Sequence, residues 1–295
     1  ARDMILAAKN SGADAVKFQT FKAEILASQL TPKVKYQIEN TGSNDSHFQM
    51  LKKLELSYKD HFILKEYCDS IKIEFISTPY DINSAIFLSD DLGIRFLKTS
   101  SADIVDIPLQ EYIASTNKNA IVSVGMASLG EIEKVCKIYD KKQNNNLTLL
   151  HCVSNYPCTD ESLNLKVIKT LQQSFGVPVG YSDHSLGETG AIISIVYGAK
   201  IIEKHFTLDK NLPGPDHPAS CTPDEFLNYS SAIRRAELMI GSSIKRCQPE
   251  EFEMSKVSRK SLHLSRNKNE GEELNYDDFL LMRPGTGFNY EKKEF

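Results

Sequence analysis

Seven short apolar runs, each turning polar at its end and each followed by a helix-length amphipathic stretch, occupy most of the chain. The runs are 14–21, 72–80, 95–100, 120–125, 147–153, 180–184 and 201–207. Helical patterns follow at 51–54 with 59–70, then 83–88, 107–114, 130–139, 165–174 and 188–198. The last helix, Pro223 to Ile240, is opened by Thr222 and closed by Gly241, and another, Arg2 to Ser11, precedes the first run and stops at Gly12. Repeated strand–helix units require a parallel sheet covered by helices. No Gly-x-Gly-x-x-Gly follows any run, which excludes the usual dinucleotide fingerprint. The expected fold is therefore α/β, a (β/α)8 TIM barrel lacking its first strand. The polar excursion from Lys22 to His47 is too long for a plain connection and reads as an active-site loop. The helix at Ala1 and the turn-rich end at Lys292–Phe295 both read as cuts through something longer. Past residue 250 the rhythm gives way to short strands and turns. The expected division is 1–241 as barrel, 242–254 as linker and 255–295 as a small domain.

Charge narrows the partners. A formal net charge of -4 and a pI near 6.0 give no reason to expect nucleic acid or an anionic membrane. There is no apolar run of transmembrane length and no signal peptide. The six cysteines, at 68, 136, 152, 158, 221 and 247, form no Cys-x-x-Cys pair and read as reduced thiols of a cytoplasmic protein. An anionic ligand would have to be met by particular lysines.

Those lysines stand where a barrel places its chemistry, at the C-terminal strand ends. Strand by strand the candidates are Lys17 and Gln19, Thr78, Lys98 and Ser101, Ser123, Ser154 and Tyr156, Ser182 and His184, then Glu203 and His205. Side chains alternate along a strand, so Ser182 and His184 share a face, as do Glu203 and His205. A β-α-β unit makes their strands parallel and brings both ends to one rim. Two histidines alone are as readily hydrogen-bonded core residues; the convergence of polar strand ends points to chemistry. Lysines with hydroxyls suit a phosphate or carboxylate, and two imidazoles with open positions suit a divalent metal.

The motifs Ala15-Val-Lys-Phe-Gln-Thr-Phe-Lys22, Tyr36-Gln-Ile-Glu-Asn-Thr-Gly42, Phe75-Ile-Ser-Thr-Pro-Tyr80, His151-Cys-Val-Ser-Asn-Tyr-Pro157, Gly180-Tyr-Ser-Asp-His184, Glu203-Lys-His-Phe-Thr-Leu-Asp209, Gly214-Pro-Asp-His217 and Arg283-Pro-Gly-Thr-Gly287 occur in this order. Together they resemble the bacterial sialic acid (N-acetylneuraminate) synthases, along essentially the whole chain. The resemblance implies condensation of phosphoenolpyruvate with an N-acetylated amino sugar, N-acetylmannosamine first among them. Phosphate would leave by C–O cleavage, in the biosynthesis of a capsule or lipopolysaccharide sugar. It implies that His184 and His205 hold Mn2+ or Mg2+. Lys17, Thr78, Lys98, Ser101, Ser123, Ser154 and Ser182 would hold phosphoenolpyruvate. Glu203, Asp216, Tyr156 and Gln19 would serve the substrates, with Glu203, His184 and His205 as the catalytic residues. Residues 255–295 would be an incomplete antifreeze-like domain whose Arg283 enters the partner's barrel in a domain-swapped homodimer. The chain departs from the family at Lys98-Thr-Ser-Ser-Ala-Asp103, where relatives read Lys-Ile-Pro-Ser-Gly-Glu, and at Val124 in place of Thr. The family's first strand, with its Glu and Asn-His-Asn-Gly turn, has no counterpart in these residues. The alternatives are an N,N'-diacetyllegionaminate synthase using a 2,4-diacetamido-trideoxy-mannose, or an inactive sugar-phosphate-binding module; a pseudaminate synthase fits Gly214-Pro-Asp-His217 less well.

Overall fold

A computed structural model describes residues 1–34, 37–38, 40 and 45–289. Tyr36, Glu39, Thr41 and Gly42 of the quoted motif, and Lys292–Phe295, lie outside them. The chain divides into two compact units, Ala1–Ile240 and Gly241–Phe295.

In the first unit, α1 (Arg2–Asn10) leads into β1 (Ala15–Thr20). A short helix α2 (Ala23–Leu26), α3 (His47–Leu54) and α4 (Tyr58–Ile71) come before β2 (Glu74–Pro79). Strand and helix then alternate: α5 (Ile82–Ile86), β3 (Phe96–Thr99), α6 (Ile107–Ser115), β4 (Asn119–Ser123), α7 (Leu129–Lys141), β5 (Leu147–Cys152) and α8 (Val167–Phe175). β6 (Val179–Asp183), α9 (Thr189–Val196), β7 (Ile202–Lys204) and α10 (Pro223–Ile240) complete it. Two boundaries depart from the periodicity for local reasons. α3 starts four residues before the expected 51 because Ser46 and Gln49 close a capping box around its first turn. The helix expected over 83–88 opens after Ile86 into a wide π-type turn, Phe87–Asp91, a form in which the backbone bonds skip one residue further.

β1 to β7 are parallel and hydrogen-bonded in chain order. Their twist rolls the sheet up. Lys17 on β1 reaches to 3.6 Å from Glu203 on β7, the far end of the strand order. The result is a curled parallel sheet of TIM-barrel type, as the rhythm of the sequence implies. Among the described residues β1 pairs only with β2, and β7 only with β6, so a seam lies between them.

The alternation of the strands separates two environments. Phe75, Leu97, Val122, Leu149, Val179 and Tyr181 face outward into a core shared with Leu109, Ile113, Val135, Ile168 and Leu171 of the helices. Each fully buried Leu or Ile there contributes about 1.5–3 kcal/mol. Lys17, Gln19, Lys98 and Glu203 face inward and line a cavity of about 530 Å³. β6 and β7 approach so closely that a Cβ on Gly180 would stand 2.4 Å from the Ile201 carbonyl oxygen. No helix of the described residues is long and apolar enough to cross a membrane.

The second unit carries α11 (Phe252–Ser258), β8 (Ser261–Leu264) and β9 (Phe279–Met282), the two strands antiparallel. Residues 252–258, expected to straddle a linker and the start of the small domain, are thus helical. The Ser261 hydroxyl donates to the Pro284 carbonyl at 2.6 Å, and the Gly285 N–H donates to Lys256 O at 2.7 Å, fixing the turn after Arg283.

Candidate active site

Lysines and one carboxylate make the centre of the bowl. Glu203 Oε1 lies 3.3 Å from Lys98 Nζ and 3.6 Å from Lys17 Nζ, and accepts from the Ser182 hydroxyl at 3.0 Å. Burial pushes the Glu203 carboxyl up, but the two ammonium groups outweigh it and hold the group well below the usual range. Lys17 answers in the other direction: burial, helped by neighbouring Lys98 and opposed by Glu203, lowers it to about 8. Lys98 is only 6% exposed.

Two hydroxyls near that lysine are unusual. Thr78 Oγ1 on β2 and Ser123 Oγ on β4 are buried and have no hydrogen-bond partner among the described residues. β3, which carries Lys98, lies between those strands. A buried hydroxyl without a partner costs about 1–3 kcal/mol, so the arrangement suits a ligand oxygen. Next to it, Ser101 Oγ accepts from Gly125 N at 2.9 Å and lies 3.0 Å from Cys152 Sγ; Ser154 Oγ is 3.9 Å from the same sulfur. Gly125 is what leaves room for this cluster. A Cβ there would lie 2.4 Å from Ser154 Oγ, 2.6 Å from Cys152 Sγ and 2.8 Å from Ser101 Oγ. Gly125→Ala is accordingly expected to lose about 1–3 kcal/mol of stability, read as a lower denaturation midpoint at unchanged slope. Wild-type stability would show that the three side chains yield freely.

The imidazoles form the other wall. His184 and His205 each stand one residue past the end of their strands, β6 and β7, rather than within them. Their ring centroids are 5.4 Å apart, nearly perpendicular, and the Tyr156 ring lies 4.1 Å from His184 and 5.2 Å from His205. His184 Nδ1 is 2.6 Å from the Val153 carbonyl, an acceptor only, so this nitrogen carries the proton. Nε2 keeps its lone pair, 3.4 Å from Ser182 Oγ. Burial lowers His184. Burial and then the Lys17 charge lower His205 to about 3, so both rings are neutral. Asp216 Oδ2 stands 3.8 Å from His205 Nδ1, and burial raises its carboxyl. Neutral imidazoles with free nitrogens are the correct state for metal ligation. Among the described residues no three His, Cys, Asp or Glu side chains are grouped to hold a metal ion. Two neutral imidazoles are thus what these residues offer a divalent ion, which would need further donors from outside that pair.

Of the residues singled out from sequence, Lys17, Gln19, Lys98, Glu203, His205 and Asp216 line the cavity together. Ser182, His184 and Tyr156 join them through Glu203 and the rings. Arg283 belongs to the second unit, where it is exposed. Two groups at this rim were not singled out. Asp103 accepts from Ser100 Oγ at 2.5 Å and is raised by burial to about 6. Tyr80 is raised by burial, with the Asp103 charge adding to it. Their signal was available, since both follow strand ends as the chosen residues do.

The NeuB family model matches residues 4–245. The chain is 43% identical over 291 residues to the N,N'-diacetyllegionaminic acid synthase of Legionella pneumophila, a match spanning 97% of this chain and 82% of that one. It is 31% identical over 295 residues to the N-acetylneuraminate-9-phosphate synthase of Homo sapiens, spanning 100% and 81%. The crystal structure of N-acetylneuraminic acid (sialic acid) synthetase from Leptospira borgpetersenii, in complex with citrate, superposes with a TM-score of 0.74 at 34% identity, covering 86% of this chain and 83% of that one.

Proposed function

This chain belongs to the NeuB family, and from that premise we propose that it condenses phosphoenolpyruvate with an open-chain N-acetylated amino sugar to give a nonulosonic acid and phosphate. The observation that carries this reading is the pair of unpartnered hydroxyls, Thr78 and Ser123, on the strands either side of buried Lys98. They offer a phosphate or carboxylate donors that nothing in the described chain uses.

In this reading Lys17 and Lys98 balance the charge of the phosphoenolpyruvate trianion, and Thr78, Ser101, Ser123, Ser154 and Ser182 supply hydroxyls to its oxygens. The enol carbon attacks the sugar's aldehyde carbon, forming the C–C bond. Water adds to the carbon that carried the enol phosphate, and the tetrahedral adduct expels phosphate with its bridging oxygen. His184 and His205 would hold a divalent ion, Mn2+ or Mg2+, which when bound supplies Lewis-acid polarisation of the aldehyde. Glu203, ionised and between the lysines, accepts hydrogen bonds from the sugar's hydroxyls at its carboxylate, while Asp216, Gln19 and Tyr156 orient the sugar. The resemblance alone supports three further parts of the proposal: an antifreeze-like second unit, a homodimer in which Arg283 serves the partner's barrel, and residence in the cytoplasm.

For the acceptor we favour a 2,4-diacetamido-trideoxy-mannose, as for a diacetyllegionaminate synthase, over the N-acetylmannosamine first expected. The support is the 43% identity to the Legionella protein against 31% to the human one. Phosphate release from phosphoenolpyruvate, with Mn2+ and each sugar in turn, tests both levels. Release only in the presence of the diacetamido sugar is the expected result. Release with N-acetylmannosamine alone overturns the acceptor, and no release with either sugar overturns the synthase in favour of a binding module.

A further inference from the structure

Behind the imidazoles, on the helix-facing side of the sheet, lies a charged cluster that the proposed reaction does not use. Asp183 is 1% exposed and saturated with donors. Its Oδ1 accepts from Tyr181 OH at 3.0 Å, Ser185 N at 2.8 Å and Ser185 Oγ at 2.6 Å. Its Oδ2 accepts from Tyr229 OH on α10 at 2.8 Å and lies 3.1 Å from Lys204 Nζ. The Lys204 side chain is only 3% exposed; it donates to the Ser185 carbonyl and lies 5.2 Å from the Tyr229 ring centroid. Gly190 on α9 lets that helix close over the cluster, since a Cβ there would stand 3.1 Å from Ser185 Oγ and 3.3 Å from Tyr181 OH.

The chain neighbours of these charges are the point. Asp183 directly precedes His184, and Lys204 stands between Glu203 and His205. Asp183 and Lys204 between them bond both the N–H and the carbonyl of Ser185, the residue after His184. Cys158 N donates to His184 O at 3.0 Å, so the backbone on both sides of the His184 side chain is held. A buried ion pair is a poor way to gain stability compared with well-packed apolar groups. It is a good way to fix one strand end against another, because each partner has a defined position.

We propose that the buried Asp183–Lys204 pair, with Tyr181 and Tyr229 on its carboxylate, is a positioning device that sets the orientation of His184 and His205 from behind the sheet. The proposal rests on the bowl being the active site. It adds that the turnover of this bowl is controlled from the opposite face, by residues that touch neither substrate.

The test compares wild type with Asp183→Asn/Lys204→Met, which removes both charges together, and with Tyr229→Phe, which removes one hydroxyl. The first readout needs no activity: the ¹⁵N signals of the His184 ring in histidine-labelled, chelator-treated protein at neutral pH, assigned with a His184→Gln control. Wild type should show one neutral tautomer, protonated on Nδ1. The folded double variant should show averaging of the two tautomers. The second readout is kinetic. Displacement of a reacting group by about 1 Å costs up to about a hundredfold, so kcat should fall by about ten- to a hundredfold. KM for phosphoenolpyruvate, whose lysines stand on β1 and β3, should move by less than about twofold. Tyr229→Phe should show both effects in smaller measure and carries the test if the double variant does not fold. A folded variant with the wild-type ring signature and wild-type kcat overturns the proposal, leaving the cluster a stabilising element. If wild type releases no phosphate with any sugar, the synthase reading fails and the ring signals alone decide the positioning role.

Discussion

His205→Ala is expected to lose divalent-ion binding and turnover together, with kcat reduced by about a thousandfold or more, the order of effect of removing several kcal/mol of electrophilic assistance. The fold should persist. Among the described residues its ring lies 3.8 Å from Asp216, too far for a hydrogen bond, with 25% of its side-chain surface accessible. His184→Ala should match the loss of turnover but cost more stability, because it strips the Val153 carbonyl of its donor. Calorimetric titration with Mn2+, phosphate release and circular dichroism on the same preparations separate binding, chemistry and fold. Full activity of both variants in chelator-treated buffer would remove the metal from the account.

Lys98→Met should act on one substrate. The ammonium is buried beside Glu203, on the strand between those of the two unpartnered hydroxyls, so its loss removes a charge-assisted contact of about 1.5–3 kcal/mol, tenfold or more in affinity for phosphoenolpyruvate. The Michaelis constant for the sugar should change far less. A pH profile sharpens this. Lys17 is lowered to about 8, so its charge is present below that pH and lost as pH rises through it. For wild type, kcat/KM for phosphoenolpyruvate, which reports the free enzyme, should therefore fall as pH rises past about 8. Lys98 is one of the charges that depress Lys17, so in Lys98→Met that descending limb should move upward. Equal effects on both substrates, or a limb that stays in place, would contradict the assignment.

The parallel sheet was legible because each of its strands is an apolar run ending in polar residues, and because every connection was long enough for a crossover. The same rule marked Lys17, Lys98, Glu203 and His205, which do share one cavity. Alternation carried the reading only so far. In β6 and β7 both faces are polar at the end: Ser182 and Glu203 look inward, while Asp183 and Lys204 look outward under α10. A two-residue period assigns such outward positions to apolar packing, so the cluster was read as motif letters with no place of its own. Nor can periodicity show that Thr78 and Ser123 lack partners. Hydroxyls usually find a local carbonyl, and only the three-dimensional neighbourhood reveals that these two do not. The acceptor sugar was not legible either, since a carboxylate such as Asp216 and a guanidinium such as Arg283 suit the hydroxyls and amide of any N-acetylated sugar.

Among the described residues the seam between β1 and β7 has no backbone ladder; it is spanned inside by the Lys17–Glu203 ion pair and outside, from α10, by the Arg234–Asp14 ion pair and the Ser230 hydroxyl on the Ser11 carbonyl. Its inner brace is thus made of the charges that an anionic ligand would recruit. A trianion that drew Lys17 to itself would loosen only this inner tie, because Arg234–Asp14 and Ser230–Ser11 lie outside the bowl, so the seam has one tie that a ligand competes for and one that it leaves alone.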